Sequence, residues 1–308
     1  MLRIKTLIIF FFSTILIINS CTKNQSDFDV KKWQKSVIDN RTAKDNEFKT
    51  SPTSPFAGLA RINAEKDKTS FLDFKSGNFI LNNKKSSLTL ISVFQKNGKW
   101  YLKILNNGFT CKSGTEKEGS LYKLGDMVEC TYYRFTFVMY PLDERLVIIA
   151  FDPELKKIKE FKHLYYYPPD PEFRVNAKLV KIKNPEQIDM LTSQNQIKTY
   201  YRYAEIRFKI KDKKLTLIAY KKDLHQKPEQ TWLFIPFTDK TTGKTTYAAG
   251  RFLEIKEPLT KNFILDFNEA FNPLCNYSHV YNCSYPPEEN ALDIPIEAGE
   301  KVYPVYQN

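Results

Sequence analysis

From Phe56 onward the apolar residues of this chain return at every second position, and that period constrains the fold more than any other feature of the sequence. Successive side chains of a strand point to opposite faces, so a period of two suits a sheet with one buried face and cannot settle as a helix. Leu88, Leu90, Ser92 and Phe94 share one face, Lys96-Asn97-Gly98-Lys99 offers a turn, and Trp100, Leu102 and Ile104 continue beyond it. Asn-Gly between alternating runs signals a two-residue hairpin, because both turn residues must take positive φ. YRFTFVMY (133–140) and LVIIAF (146–151) read as two further strands. Residues 56–152 are therefore expected to form a small β-sandwich.

The same period resumes after the charged, aperiodic stretch 153–163, taken as a domain junction. Val175, Ala177 and Leu179 alternate. In YAEIRFKI, Ala204, Ile206, Phe208 and Ile210 face one way while Glu205, Arg207 and Lys209 face the other. LTLIAY, TWLFIPF, RFLEI and NFILDF add strands, so residues 164–308 are expected to be a second β-domain. Only 29–50 breaks the pattern: Val30, Trp33, Val37 and Ile38 recur at helical spacing, and SPTSPF ends the run. The expected class is mainly β, two sandwich- or barrel-like domains with a short N-terminal helix packed on them.

Residues 1–20 carry an address. Arg3 and Lys5 precede an apolar run, Leu7 to Ile18, too short to span a bilayer comfortably, and Asn19-Ser20-Cys21 follows. This resembles the bacterial lipoprotein signal, which implies that Cys21 becomes the lipidated first residue of a membrane-anchored chain carrying palmitate. Residues 21–28 would be a tether. The expected location is the cell envelope, with the outer membrane or periplasmic face favoured because Thr22 is not the aspartate of inner-membrane retention.

Export bears on charge and cysteines. Loss of Arg3 and Lys5 lowers the net charge from +12 to +10, and the remaining lysines are scattered. Nucleic acid is not an expected partner; the membrane, through the lipid, is. Of five cysteines four remain, in two local pairs, Cys111 with Cys130 and Cys275 with Cys283, expected to be disulfides in an oxidising compartment. With three histidines and no Cys-x-x-Cys motif, no metal and no cofactor is expected.

Two resemblances follow. NGKWYLKI, NNGFT and LYKLGDMV resemble parts of a forkhead-associated sandwich. The Gly-Arg and Ser-x-x-His elements of phosphothreonine binding are replaced by FKSGNFILNNKKSS, so the resemblance implies scaffold without phosphopeptide function. The second is more specific. Phe237, Asp239, Thr242, Gly243, Thr246, Tyr247, Gly250 and Arg251 form one block. Asp266, Phe267, Asn268, Ala270, Asn272, Pro273, Cys275 and Tyr277 form another. Pro286, Pro287, Glu289, Asn290, Ala298, Gly299 and Glu300 form a third. These blocks, with Arg41, Lys44, Asp45 and Phe48 upstream, resemble the bacterial family catalogued as domain of unknown function 1684. His163 and Ser284 stand where that family usually has Gly and Pro. The resemblance implies a coherent exported fold and no reaction.

The same blocks supply the candidate site: Asp239, Tyr247, Arg251, Asp266, Asn268, Asn272, Tyr277, Glu289 and Asn290. If RFLEI pairs with NFILDF, Arg251 approaches Asp266 or Asn268, and an Arg, an Asp and amides roofed by Tyr247 and Tyr277 would hold a small polar or glycan ligand. The alternative is a buried Arg251–Asp266 pair with the asparagines capping turns. The alternative of an envelope hydrolase would use the Arg251, Asp266 and Asn268 cluster; a Ser/His/Asp arrangement would need His279 with Asp266 and has no nucleophile elbow. An oxygen cage from Asp266, Asn268, Asn272 and Glu289 lacks calcium-loop spacing. Ligand binding, envelope hydrolysis and a purely structural role all remain open at this point.

Overall fold

A computed structural model describes residues 28–111, 119–125, 127–225, 231–257 and 260–304. The expected leader 1–20, Cys21 and most of the expected tether 21–28 lie outside the described residues. The protein is mainly β and divides into two compact units, Leu59–Pro153, and Val30–Gly58 together with Glu154–Asn308. Among the described residues no helix is long and apolar enough to cross a membrane.

Among the described residues the first unit holds ten strands in two five-stranded sheets. One runs β1 (Gly58–Glu65), β10 (Arg145–Phe151), β9 (Phe135–Leu142), β8 (Val128–Tyr132), β6 (Phe109–Cys111); the other runs β3 (Asn78–Asn82), β2 (Ser70–Lys75), β4 (Thr89–Lys96), β5 (Lys99–Ile104), β7 (Leu121–Lys123). Leu72, Val93, Leu102, Phe109, Phe137 and Ile148 from both sheets share one core. Asn97 and Gly98 take φ of 51° and 70°, as the Asn-Gly hairpin requires. On β4 Leu90, Ile91 and Val93 all enter the core, Ile91 and Val93 opposite Ile104 and Leu102, whereas Leu88 is exposed. In the stretch that departs from the forkhead-associated pattern, Asp73 accepts from Ser86 Oγ at 2.6 Å, Thr89 Oγ1 at 2.6 Å and Asn82 Nδ2 at 3.0 Å, stapling the β3–β4 loop.

The second unit is built on one curled, seven-stranded antiparallel sheet. Its order is β16 (Arg251–Lys256), β15 (Trp232–Phe237), β14 (Lys213–Lys221), β13 (Ile197–Ile210), β11 (Arg174–Lys181), β17 (Asn262–Asp266), with β12 (Gln187–Leu191) also on β13. Ala177, Ile206, Phe208, Leu217, Ile235, Leu253 and Leu265 line its inner face, as the period of two predicts. The sheet does not close, and Leu292, Ile296 and Ala298 of the C-terminal strap complete the core at its open side.

Helix α1 (Val30–Thr50) belongs to this unit. It is seated by a stripe of Trp33, Val37, Arg41, Lys44 and Phe48 rather than by Val30 and Ile38, which stay 38% and 51% exposed. Ile38 is one residue beyond Val37, about 100° around the helix, so the two cannot share a seam. Phe48 packs edge-on against Phe56 and Tyr277 at 5.9 and 5.1 Å. Within 153–163 lies a short helix, α2 (Lys156–Glu160), whose Ile158 and following Phe161 are buried.

Candidate functional site

Arg251 opens β16 and is fully buried. Strands β16 and β17 do not pair: they are the two edges of the sheet, so the expected approach of Arg251 to Asp266 does not occur. Its partner is Asp239, just past β15, at 2.9 Å from Nη2. Nη2 also donates to Ile296 O at 2.8 Å, and Nη1 to Ala298 O and to Glu300 O, the latter at 3.3 Å. Asp239 Oδ1 accepts from Thr241 N at 2.8 Å, Thr241 Oγ1 at 2.6 Å and Ile296 N at 3.2 Å. The guanidinium is thus a peg on which the strap 296–300 hangs, and Nε is its one nitrogen without a hydrogen-bond partner. Burial lowers the Arg251 pKa, opposed by the Asp239 charge.

Two motif glycines make this geometry possible. Gly250 has φ +80°, and a Cβ there would stand 2.6 Å from Phe237 O. Gly299 has φ +76°, and a Cβ would stand 2.5 Å from Ala270 O. The next residue, Glu300, is 1% exposed and fully engaged. Its Oε2 accepts from Tyr277 OH at 2.6 Å and Asn272 N at 2.8 Å, and its Oε1 from Lys44 Nζ at 2.5 Å. Burial first, and then the Glu300 charge, push the Tyr277 phenol well above its ordinary range.

The asparagines act as spare peptide groups. Asn290 Oδ1 accepts from Ile218 N at 2.7 Å, while its Nδ2 donates to Ile218 O at 2.9 Å and Pro236 O at 2.7 Å. Strands β14 and β15 are registered only at Tyr220 and Phe234, and this amide fills the gap between them. Asn268 does the same for Asp170, exchanging both bonds at 2.8 Å. Asn272 Nδ2 donates to Lys301 O at 2.8 Å. Asp266 accepts from Asn268 N and Nδ2 at 2.9 Å and from Trp33 Nε1 at 2.8 Å, with Arg174 Nε 3.8 Å away. Glu289 takes Arg202 and the Tyr220 hydroxyl, the latter at 2.6 Å.

The nine residues are therefore not one constellation. Asp266, Asn268, Asn272 and Glu289 turn to different partners, and among the described residues no group of three His, Cys, Asp or Glu is placed to hold a metal. His279 is exposed. Cys111 and Cys130 are bonded, opposite each other on β6 and β8. Cys275 and Cys283 are free thiols, which corrects the expected second disulfide. Their loop is already held by Ser193 N donating to Cys283 O at 2.9 Å and Lys198 Nζ to Asn282 O at 2.5 Å, so no covalent link is needed to close it.

The sheet's other face holds a group that the sequence reading missed. Glu254 stands opposite Phe234 in the β15–β16 register and shares its face with Phe252. Phe234 stacks on Tyr200 at 5.4 Å and meets Phe252 edge-on at 4.8 Å, and Phe252 meets Phe271 at 6.0 Å. Among the described residues no hydrogen bond or ion pair reaches the Glu254 carboxylate, and burial pushes its pKa up to about 7 against the pull of Lys44. Tyr200, Phe234 and Glu254 are each half-buried and reachable from solvent. The signal was in the sequence as an acid on the face opposite Leu253 and Ile255, level with the aromatics of TWLFIPF. A second unforeseen pair, Lys221 with Glu257, is 3% exposed at each partner and takes the Tyr203 hydroxyl at 2.7 Å. The two charges face each other as an ion pair.

Residues 159–301 match the family model described as a protein of unknown function, DUF1684. No curated protein matches the chain. Among solved structures, the solution NMR structure of an uncharacterized protein of Haloarcula marismortui is 34% identical. It spans 49% of this chain and 82% of its own, with a TM-score of 0.40.

Proposed function

We propose, on the premise that this chain belongs through residues 159–301 to the DUF1684 family of unknown function, that it is a lipid-anchored cell-envelope protein. Its C-terminal sheet would bind a small envelope-derived ligand. The ligand class is an apolar or aromatic body carrying a hydrogen-bond donor or a positive charge. The observation that carries the binding reading is Glu254: a half-buried carboxylate with aromatic neighbours and no partner of its own. Burying such a group costs free energy unless something bonds to it, and a donor-bearing ligand would lower that cost. Aromatic faces beside an anion suit ammonium and amphipathic groups. The anchor reading rests on the apolar run before Cys21.

Two experiments test the two halves. Radiolabelled palmitate should enter the wild-type chain in cells and not Cys21→Ala, which should leave the membrane fraction; equal labelling of both would end the anchor reading. Pools of cationic and amphipathic envelope metabolites should shift the thermal unfolding of the wild-type protein. Glu254→Gln should abolish that shift while unfolding cooperatively. A shift of equal size in Glu254→Gln, or none with any pool, counts against this site.

A further inference from the structure

The two pairs of cysteines sit in contrasting surroundings. Cys111 and Cys130 are 4% and 1% exposed, held opposite each other by two strands. Cys275 and Cys283 are half-buried and lie on an irregular stretch, where the sheet does not fix them. Cys275 belongs to a 3-10 turn, Leu274–Asn276, and its backbone N–H donates to Cys283 Sγ at 3.2 Å. Tyr247 O–H points at Cys275 Sγ from 3.8 Å, and the Cys283 backbone N–H donates to Ser193 Oγ at 3.1 Å. Each sulfur thus faces one donor: the Tyr247 phenol at Cys275 Sγ and the Cys275 backbone N–H at Cys283 Sγ.

We propose that Cys275 and Cys283 form a redox-active dithiol that exchanges with low-molecular-weight disulfides, Cys275 attacking and Cys283 resolving. A thiolate is the attacking species, and hydrogen-bond donors aimed at one sulfur favour its anion. The neighbouring Cys283 thiol holds the Cys275 thiol down at about 7 against burial, while the same neighbour and burial push Cys283 up. The Tyr247 hydroxyl aimed at Cys275 Sγ assigns the first attack to Cys275, since the more ionised sulfur reacts first.

The exchange balances in two steps. Cys275 gives its proton to water, and its thiolate attacks one sulfur of R–S–S–R, forming a mixed disulfide and releasing RS⁻, which takes up a proton. Cys283 then loses its proton and attacks Cys275 Sγ, closing the Cys275–Cys283 bond and releasing the second thiol. The protein dithiol loses two electrons and the small disulfide gains them; excess thiol reverses both steps. The 3.2 Å bond from the Cys275 backbone N–H to Cys283 Sγ already places the two residues side by side, so closure asks for little movement of the loop.

The test uses the full chain in detergent, oxidised and reduced glutathione as the probe, and acid quenching followed by peptide mass mapping. The 275/283 pair should open and close with the glutathione ratio while Cys111–Cys130 stays bonded. Folded Cys283→Ser should accumulate one glutathione on Cys275, and Cys275→Ser should react at least about tenfold more slowly at Cys283. Three results would overturn the proposal: a 275/283 pair that does not respond to the ratio in wild type, a folded Cys283→Ser without an adduct, or adducts forming equally fast on either sulfur.

Discussion

Glu300 and Glu254 are two carboxylates of one domain with opposite surroundings. Glu300 accepts from a lysine, a tyrosine and a backbone N–H, and it belongs with Arg251, Asp239 and the asparagines to a network in which nearly every donor has its acceptor. Glu254 stands level with Phe234 and shares its face with Phe252, and among the described residues no hydrogen bond reaches its carboxylate. The difference teaches where to look for function in this chain. A sheet that does not close must bind its strap by other means, and the residues that look most chemical do that work. A group that could meet a ligand is one the fold leaves unanswered.

The comparison is broken most severely at Arg251. Removing one partner of a buried ion pair leaves the other charge uncompensated, so Arg251→Ala should cost about 3–5 kcal/mol, read from urea unfolding. Much of that loss should persist in Asp239→Asn, which keeps the shape and removes the charge. A cost below about 1 kcal/mol would mean that the strap holds without its peg and that Arg251 is free for another task.

Glutamine tests both carboxylates with one chemical change. At Glu300 an amide must turn an N–H toward either the Lys44 ammonium or the donors of Tyr277 and Asn272, all within 2.8 Å. Glu300→Gln should therefore destabilise by about 2–3 kcal/mol. Asn290→Ala, which strips the partners from Ile218 and Pro236, should cost a similar amount. Loss of ligand response without loss of stability in either variant would move the site back to the motif residues.

The strands were legible because alternation is a local consequence of burial: Val175, Ala177, Leu179 and the Ala204–Ile210 series point inward as the sequence implies. Pairing across the sheet was not. RFLEI and NFILDF are neighbours in sequence, and only the path of the whole sheet shows that they are its opposite edges. That misplaced Arg251, whose true partner lies back along the chain past β15. The helix stripe was read from hydrophobicity alone, whereas Trp33, Arg41 and Lys44 seat it through polar ends. Asn268 and Asn290 stand out in the sequence, which offers them only as turn formers or ligand contacts. Nothing local reveals that an amide will stand in for a missing piece of strand. Glu254 went unmarked for the converse reason: an acid on the non-core face of an edge strand is what solvent exposure also produces.

At Glu254 the sign should reverse. Burial raises its pKa from an ordinary 4.5 to about 7, so the folded state keeps a proton that the unfolded state gives up between those values. Its contribution to stability is highest below about pH 4.5 and declines as pH rises through 7. Discounted for partial exposure, the decline amounts to about 1–2 kcal/mol. Glu254→Gln should remove this pH-dependent loss and leave the variant more stable than wild type at pH 8, by thermal or urea unfolding at both pH values. A saturating cationic ligand should act the other way on the wild type, holding the carboxylate ionised and recovering the stability lost above pH 7. If Glu254→Gln instead destabilises at pH 8, the carboxylate has a structural partner like that of Glu300, and the contrast between the two residues fails.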